Sequence, residues 1–270
     1  MYKYNIQQIR DKILGMLSFF IIFIILLFIW GFVIEPNLLV VKHYKLENNN
    51  LKGKRIVFVS DFHISKHDKY RLCRIVKLIN KQNADLVLSG GDYIKGHSGK
   101  HSLAMEIIAS ELAKIKAPFI TAIGNHDGKY NKLKVINILK KNGLKVLVND
   151  NTKIENIYIS AVDDMQTGNP NIEKALFNTT SPRILISHTP DIYFDVKEEV
   201  DLVLAGHVHG GQVRLPWGKA LILPSKFGTK FTCGYFKETK NPMIVTKGLG
   251  TSILNVRFCT IPEIVVIEFI

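Results

Sequence analysis

The sequence predicts an α/β domain with a two-layer β-sandwich core flanked by helices, preceded by one N-terminal transmembrane helix. Two observations lead to this prediction: a long apolar run without charges near the N-terminus, and, after it, short β-branched runs that alternate with helical patterns. Of the 270 residues, 47% are hydrophobic and 22% are charged, which is typical of one folded domain with an additional apolar segment. This composition excludes a disordered or collagen-like chain.

The apolar run extends from Ile13 to Ile34, and a helix of 22 residues is about 33 Å long, enough to cross the hydrocarbon core of a bilayer. The alternative is a cleaved signal peptide, which has a shorter apolar region and a small-residue cleavage site. This run instead ends in the sequence Val33-Ile34-Glu35-Pro36. We therefore predict an uncleaved anchor at residues 13–34, between an N-terminal tail at 1–12 and a linker at 35–53. Within the linker, the apolar residues 38–41 either enter the membrane interface or form a first strand of the domain.

Basic residues flank the predicted anchor on both sides, so the positive-inside rule is nearly balanced: Lys3, Arg10 and Lys12 precede it, and Lys42, Lys45, Lys52 and Lys54 follow it. The formal net charge of +13 favours a polyanionic partner, which leaves nucleic acid, phosphorylated ligands and an anionic membrane surface open. Three separated cysteines without a CxxC pair indicate a reducing compartment. These features favour a single-pass protein of the inner (cytoplasmic) membrane with its domain on the cytoplasmic face.

Residues 54–270 carry the pattern of the folded domain. Ten runs are predicted as strands: 55–60, 85–89, 118–123, 144–148, 154–162, 183–187, 201–205, 220–223, 242–246 and 263–269. Apolar residues at helical spacing predict two core-facing helices, one with Leu72, Ile75, Val76 and Ile79, and one with Leu103, Ile107, Ile108, Leu112 and Ile115. The first half alternates strands and helices and the second half is rich in strands, which indicates two stacked sheets with helices outside.

Five of the predicted strands end in polar side chains. The segments are Asp61-Phe62-His63, Gly90-Gly91-Asp92, Gly124-Asn125-His126-Asp127, His188 and Gly206-His207-Val208-His209. Any one of them alone is also explained as a turn. Because open sheets bind ligands beyond the carboxyl ends of their strands, the five segments together predict one shared site. Nitrogen and oxygen donors without a thiolate suit Mn²⁺, Fe or Zn²⁺ and argue against an all-oxygen Mg²⁺ or Ca²⁺ site.

Motifs for several other chemistries do not occur in the sequence. It contains no GxxxxGK[ST] loop, no HExxH, no GxSxG and no complete GxGxxG. Nucleoside triphosphate switching, zinc proteolysis and serine hydrolysis are therefore excluded as leading hypotheses.

The five segments together resemble the metal-site motifs of the calcineurin-like metallophosphoesterase superfamily, and the resemblance extends from about Arg55 to the C-terminus. Further segments resemble a membrane-anchored bacterial phosphodiesterase branch that is similar to UDP-2,3-diacylglucosamine pyrophosphatases of lipid A biosynthesis. These segments are Gly206-His207-Val208-His209-Gly210-Gly211-Gln212, Leu215-Pro216, Leu223-Pro224-Ser225-Lys226 and Lys247-Gly248-Leu249-Gly250-Thr251-Ser252. The resemblance implies the metallophosphoesterase fold for residues 54–270.

The resemblance also implies two divalent metal ions, with Mn²⁺ as the first expectation and Fe or Zn²⁺ as alternatives. One ion would be held by Asp61, His63, Asp92 and His209, and the other by Asp92, Asn125, His188 and His207. Metal-bound hydroxide would attack the phosphorus, and His126 would protonate the leaving group as general acid. Asp127, where many relatives carry Glu, would orient His126.

Two arginines are candidate substrate-binding residues. Arg214 and Arg257 lie near branch-like motifs, where they either grip a phosphate or are surface charges. The pair Asp163-Asp164 is interpreted as a turn and not as a third metal site.

The function expected from these features is hydrolysis of a phosphodiester or pyrophosphate bond in a phosphorylated lipid or nucleotide-lipid substrate, such as UDP-2,3-diacylglucosamine. The alternatives are a generic phosphodiesterase, a nuclease or a non-catalytic scaffold. The predicted anchor and the lack of a stripe of interleaved basic and aromatic residues argue against nucleic acid as a partner. The complete set of seven expected metal ligands argues against a scaffold, and the sequence identifies no protein partner.

Overall fold

The computed structural model describes residues 6–221, 223–237 and 239–270. Within these residues the helices are α1 (Ile6–Ile29), α2 (Lys69–Asn80), α3 (Met105–Leu112), α4 (Asn125–Lys141) and α5 (Ile172–Leu176). The strands are β1 (Val40–Leu46), β2 (Arg55–Val59), β3 (Leu86–Ser89), β4 (Phe119–Thr121), β5 (Lys145–Val146), β6 (Asp150–Ile154), β7 (Ile157–Ala161), β8 (Arg183–Ser187), β9 (Leu202–Ala205), β10 (Gly234–Phe236), β11 (Met243–Val245) and β12 (Glu263–Phe269).

The strands form two mixed sheets. The first has the order β1-β12-β2-β3-β4-β5, and the second has the order β10-β11-β9-β8-β7-β6. Strands β2 to β5 are parallel, as are β7, β8, β9 and β11, whereas β12 runs antiparallel to β2. The carboxyl ends of the parallel strands in each sheet therefore lie at one edge of that sheet.

Side chains alternate between the two faces of each strand, and this alternation builds the layers. In β2, Ile56 and Phe58 pack with residues of the second sheet, whereas Val57 and Val59 pack against α2, α3 and α4. A third cluster covers the outer face of the second sheet, where Leu185 and Val203 pack with residues of α5 and the turn Pro190–Asp195. The predicted sandwich with helices outside is thus confirmed, and its core lies between the two sheets.

The N-terminal helix is apolar and stands away from the domain. Helix α1 continues through a π-helical turn at Trp30–Ile34 and a 3-10 turn at Glu35–Asn37. The segment Gln7–Asn37 is long and apolar enough to cross a membrane, and its side chains are largely exposed. Residues 1–5 of the predicted tail lie outside the described residues.

Several elements differ from the sequence-based expectation. Strand β1 lies inside the predicted linker and pairs in parallel with β12, so residues 40–46 belong to the sheet. The single strand predicted at 154–162 contains the end of β6, a turn at Glu155 in the left-handed region, and β7, which pairs antiparallel with β6. The strand predicted at 220–223 is wrong for its described residues, because Ala220 forms only an isolated bridge with Arg214, and Ile222 lies outside the described residues. Helix α4 was not predicted, because its polar first turn masks the apolar spacing behind it.

Candidate metal centre

The structure brings the seven predicted metal ligands and His126 together at the carboxyl ends of β2, β3, β4, β8 and β9. All eight of them are buried, from fully buried Asp61 to 7% exposed His126 and His207. Five have a left-handed backbone that L-residues rarely adopt, at φ values of 55° for Asp61, 40° for His63, 60° for Asp92, 68° for His207 and 51° for His209. Such strain persists only where surrounding contacts enforce it, and it is concentrated at functional sites.

Glycines beside the site leave no room for a side chain. A Cβ atom on Gly124 would lie 2.2 Å from Asp92 Oδ1, and one on Gly206 would lie 2.5 Å from Asp61 Oδ2. Both distances are far below van der Waals contact. Glycine at these positions therefore allows the backbone to pack in direct contact with the carboxylates of Asp92 and Asp61.

Asp61, His63 and His209 form the first half of the centre. His209 Nε2 lies 3.5 Å from Asp61 Oδ1 and 3.2 Å from His63 Nε2. The Asp61 carboxylate is fixed from behind, because both of its oxygens accept a hydrogen bond from the His207 backbone N–H at 3.0 Å. The three ligand atoms are close enough to hold one cation.

Asp92 joins this half to a second one. Its Oδ2 lies 3.5 Å from His63 Nε2 and 3.3 Å from His188 Nε2, so one carboxylate oxygen faces both halves. His188 Nε2 also lies 3.0 Å from Asn125 Oδ1 and 3.2 Å from His207 Nδ1. This is the arrangement expected of a carboxylate shared between two cations.

The hydrogen-bonding chemistry of these atoms fits a divalent cation. The carbonyl oxygens of Ile94 and Gly90 can only accept, so Nδ1 of His63 and Nδ1 of His188 donate to them, at 3.0 Å and 2.9 Å. In the neutral rings the Nε2 atoms then carry lone pairs, and these face carboxylate and amide oxygens that are acceptors as well. Acceptors that converge on one point in a buried site need a cation between them, which is either a metal ion or a proton on one of the rings.

Electrostatics keeps three of the imidazoles in the neutral form that binds metals. Burial lowers the pKa of His63 to about 3 and the pKa of His207 to about 4. Burial, followed by His63 and Arg257, lowers the pKa of His209 well below its ordinary value. These rings therefore offer lone pairs at neutral pH.

Burial and mutual electrostatic interactions shift the pKa values of Asp61, Asp92 and His188. Burial raises the pKa of Asp61 to about 6. Burial alone would also raise the pKa of Asp92, but His188 and His63 outweigh burial and lower it well below the ordinary value. Burial alone would lower the pKa of His188, but the Asp92 carboxylate outweighs it and raises this pKa to about 10. A proton on His188 thus balances the negative charge of the Asp92 carboxylate, which a bound metal ion would otherwise neutralise.

Asp127 has a different role from the one expected. Its carboxylate accepts backbone N–H bonds from Asp92 at 2.8 Å, Tyr93 at 2.9 Å and Ile94 at 3.2 Å. The ring of His126 is oriented by the carbonyl of Gly96, which lies 3.0 Å from Nδ1. The expectation that Asp127 orients His126 is therefore wrong: Asp127 is the third residue of α4, and it holds the loop that carries Asp92.

The two arginines lie outside the cluster of facing ligand atoms. Arg257 is fully buried, and its guanidinium donates to backbone carbonyls, including those of Thr260 at 2.6 Å and Lys247 at 2.8 Å. It is thus a structural residue behind His209 and is not free to grip a phosphate, which corrects that expectation. Arg214 donates to the carbonyl of Gly218 within its own loop, at 2.7 Å and 2.9 Å.

Two further residues contact the site and were not singled out from the sequence. Gln166 Nε2 lies 3.0 Å from His207 Nε2, so its amide holds the outer nitrogen of that ring. Ser252 Oγ lies 3.4 Å from His126 Nε2. Neither residue follows a strand of the pattern that revealed the others, although Ser252 lies in a segment quoted for its resemblance. The Asp163-Asp164 pair forms a turn, as predicted, in which Asp164 accepts from the backbone N–H groups of Gln166 and Thr167.

Comparison with known proteins agrees with this geometry. The sequence profile of calcineurin-like phosphoesterases matches residues 54–211. The chain is 30% identical over 253 residues to the Bacillus subtilis protein named "Uncharacterized metallophosphoesterase YkuE", with 86% of each chain covered. It is 28% identical over 231 residues to Escherichia coli "Phosphodiesterase YaeI", covering 82% of this chain and 84% of that one. It is also 28% identical over 239 residues to a zebrafish (Danio rerio) "Transmembrane protein with metallophosphoesterase domain", covering 80% of this chain and 53% of that one.

Proposed function

The chain belongs to the calcineurin-like phosphoesterase family and is a metal-dependent phosphoester hydrolase, and from this premise we propose that it is a membrane-anchored enzyme acting on a lipid-linked phosphodiester or pyrophosphate. UDP-2,3-diacylglucosamine is the first substrate to test. We place the catalytic domain on the cytoplasmic face of the inner membrane, as the basic residues after the anchor suggest.

The observation that carries the reaction class is the shared Asp92 oxygen, which lies between the nitrogens of His63 and His188. The residues around it divide into two sets of donors, Asp61, His63 and His209 on one side and Asn125, His188 and His207 on the other. Two divalent ions bound there would lower the pKa of a bound water and neutralise charge on the phosphoryl oxygens. Mixed nitrogen and oxygen donors make Mn²⁺ our first choice, with Fe and Zn²⁺ as alternatives.

The chain itself supplies proton transfer and positioning. His126 is the second residue of helix α4, after Asn125, and its backbone N–H donates to Asp92 Oδ1 at 2.8 Å. The carbonyl of Gly96 fixes the Nδ1–H of the ring, which leaves Nε2 as the atom that exchanges a proton with the leaving oxygen. Burial of the site excludes water and strengthens each of these interactions.

A lipid-linked substrate fits the position of the anchor. Helix α1 leads directly into the domain through the turn at Glu35–Asn37 and into β1, with no long flexible segment between them. An enzyme held this close to the bilayer meets a membrane-borne substrate at a high effective concentration.

Product analysis tests this proposal. The full chain in detergent, supplied with Mn²⁺, is offered UDP-2,3-diacylglucosamine in micelles and, separately, bis(p-nitrophenyl) phosphate. We expect metal-dependent release of UMP and the lipid monophosphate, loss of that release in Asn125→Ala, and retention in the control Asn80→Ala, which changes a half-buried asparagine of α2.

The outcomes separate the levels of the proposal. Hydrolysis of the nitrophenyl ester without release of UMP refutes this lipid substrate and keeps the reaction class. Unchanged hydrolysis by Asn125→Ala refutes the proposed centre.

A further inference from the structure

The anchor enters the domain at the same edge of the first sheet as the metal centre. Strand β1 begins at Val40, which pairs with Glu263, the first residue of β12. Strand β12 runs antiparallel to β2, so its beginning lies beside the end of β2, where the chain continues to Asp61. A membrane helix that ends just before β1 therefore brings this edge towards the bilayer.

The joint between helix and domain is tightly packed. The buried carboxylate of Glu35 accepts from Trp30 Nε1 at 2.6 Å, from the Cys259 backbone N–H at 3.0 Å and from the Thr260 backbone N–H at 2.5 Å. The carbonyl of Gly31 accepts from the Arg257 backbone N–H at 2.9 Å. The last turns of the helix are thus fixed on residues 256–260, so an α1 that spans a bilayer would hold these residues at the level of the membrane surface.

Two loops flank residues 256–260, and we call them the junction loops: residues 214–221 and residues 252–256. Each loop is held by a residue outside it: the Arg214 backbone N–H of the first loop donates to the Phe258 carbonyl at 2.9 Å, and Gln212 Nε2, just before the first loop, donates to the Leu254 carbonyl of the second at 3.2 Å. Both expose large apolar side chains, with exposed fractions of 92% for Ile253, 60% for Leu254, 75% for Trp217 and 59% for Leu221.

We propose that the junction loops insert into the interface of the lipid bilayer beside the anchor, so that the metal centre opens onto the lipid headgroups. This inference rests on the proposed function, because it requires α1 to span the membrane. Trp217 lies between the basic residues Arg214 and Lys219. A tryptophan flanked by cationic side chains suits the headgroup region, where its ring is half in lipid and the charges meet lipid phosphates.

The same loop that meets the lipid also contacts the site. Ser252 Oγ lies 3.4 Å from His126 Nε2, and Ile253 follows directly in the chain. Lys95, three residues after Asp92, donates to Thr251 Oγ1 at 2.9 Å and to the Ser252 carbonyl at 2.7 Å. The lipid surface and the candidate general acid are therefore separated by one residue of the chain.

Quenching of tryptophan fluorescence by brominated lipid tests the insertion. The full chain is reconstituted in phosphatidylcholine–phosphatidylglycerol vesicles with or without phosphatidylcholine brominated near the carbonyl end of its acyl chains. Two variants are compared in a Trp217→Phe background: Ile253→Trp, and the matched control Phe177→Trp. Phe177 is 67% exposed and lies between α5 and the start of β8, at the opposite edge of its sheet from the centre. Trp30 is kept in both variants as a reporter of the anchor.

We expect about twofold stronger quenching in Ile253→Trp than in Phe177→Trp, together with a blue-shifted emission. Equal quenching in the two variants, with Trp30 still quenched, overturns the insertion and leaves the membrane-anchored enzyme intact. Absence of all quenching, including that of Trp30, shows that α1 is not in the bilayer and refutes both the insertion and the proposed anchoring. A blue shift of Ile253→Trp that depends on protein concentration without quenching indicates a second copy of the chain on this surface and also overturns the insertion.

Discussion

Replacing Gly124 by Ala should disable the metal centre by displacing Asp92. Gly124 has φ −99° and ψ 176°, a backbone conformation that alanine adopts without strain. The added Cβ would, however, lie 2.2 Å from Asp92 Oδ1, 2.6 Å from Asp92 Cγ and 2.8 Å from the Asp92 backbone nitrogen. Ordinary contact begins near 3.4 Å, so the carboxylate has to move by 3.4 − 2.2, or about 1.2 Å.

A displacement of this size removes the shared oxygen from its place between His63 Nε2 and His188 Nε2, which now lie 3.5 Å and 3.3 Å away. Misplacement of a reacting group by about 1 Å can cost about 100-fold in rate. We therefore expect Gly124→Ala to bind Mn²⁺ about 100-fold more weakly and to hydrolyse bis(p-nitrophenyl) phosphate about 100-fold more slowly. Isothermal titration calorimetry and initial rates measure the two effects.

Gly143→Ala is the matched control. Gly143 has φ +81° and nothing within 4 Å of an added Cβ, so its replacement strains the backbone by about 1 kcal/mol but touches no neighbour. This control should lose thermal stability and keep normal metal binding, whereas Gly124→Ala should lose metal binding. Wild-type affinity for two ions in Gly124→Ala would refute the steric argument.

Three further predictions follow from other contacts. Against the effect of burial, Asp92 raises the pKa of His188 to about 10, so metal binding below that pH must displace a proton from His188. The affinity for Mn²⁺ should therefore rise by up to about tenfold per pH unit from pH 6 to pH 9. Calorimetry in buffers of different ionisation enthalpy would detect the released proton. A pH-independent affinity would contradict this. Glu35→Ala removes the acceptor of three donors, of which the Thr260 N–H is buried and would cost about 1–3 kcal/mol when left unpaired. It should lower the melting temperature of the full chain in detergent by several degrees relative to the exposed-site control Glu47→Ala. Asp127→Asn should weaken metal binding about tenfold, because it loosens the backbone that carries Asp92; a defect in turnover alone would instead favour a direct effect on His126.

The sequence was sufficient to predict the metal centre because the signal is local. Each candidate ligand follows an apolar strand, and the carboxyl ends of parallel strands meet at one edge of a sheet. Asp61 and His188 could be placed near each other on that ground alone, although 127 residues separate them. The two-layer core was predictable for the same reason, since β-branched runs of strand length are easily recognised.

Roles that depend on distant partners could not be predicted in this way. In the sequence, nothing distinguishes Arg257 from a surface cation or a phosphate ligand. In the structure, backbone carbonyls surround its guanidinium. Asp127 lies beside His126 in the sequence, but the start of α4 turns its carboxylate towards the backbone of residues 92–94 instead. Strand β1 is a separate case: its partner, β12, is the last strand of the chain, so nothing near it in the sequence reveals the pairing.

The tightly packed joint at Glu35 has a consequence for substrate selection. An enzyme on a long flexible tether samples a wide range of heights above a membrane and can act on a phosphate at any of them. Here the hydrogen bonds from Trp30, Cys259 and Thr260 to Glu35 fix the end of the apolar helix on the domain. With that helix in a bilayer, as we propose, the domain would be held at a fixed height and tilt. The helix would then act as a specificity element: a scissile phosphate would be accepted according to its depth in the bilayer, and chemically identical esters on longer headgroups would be discriminated against before they reach the centre.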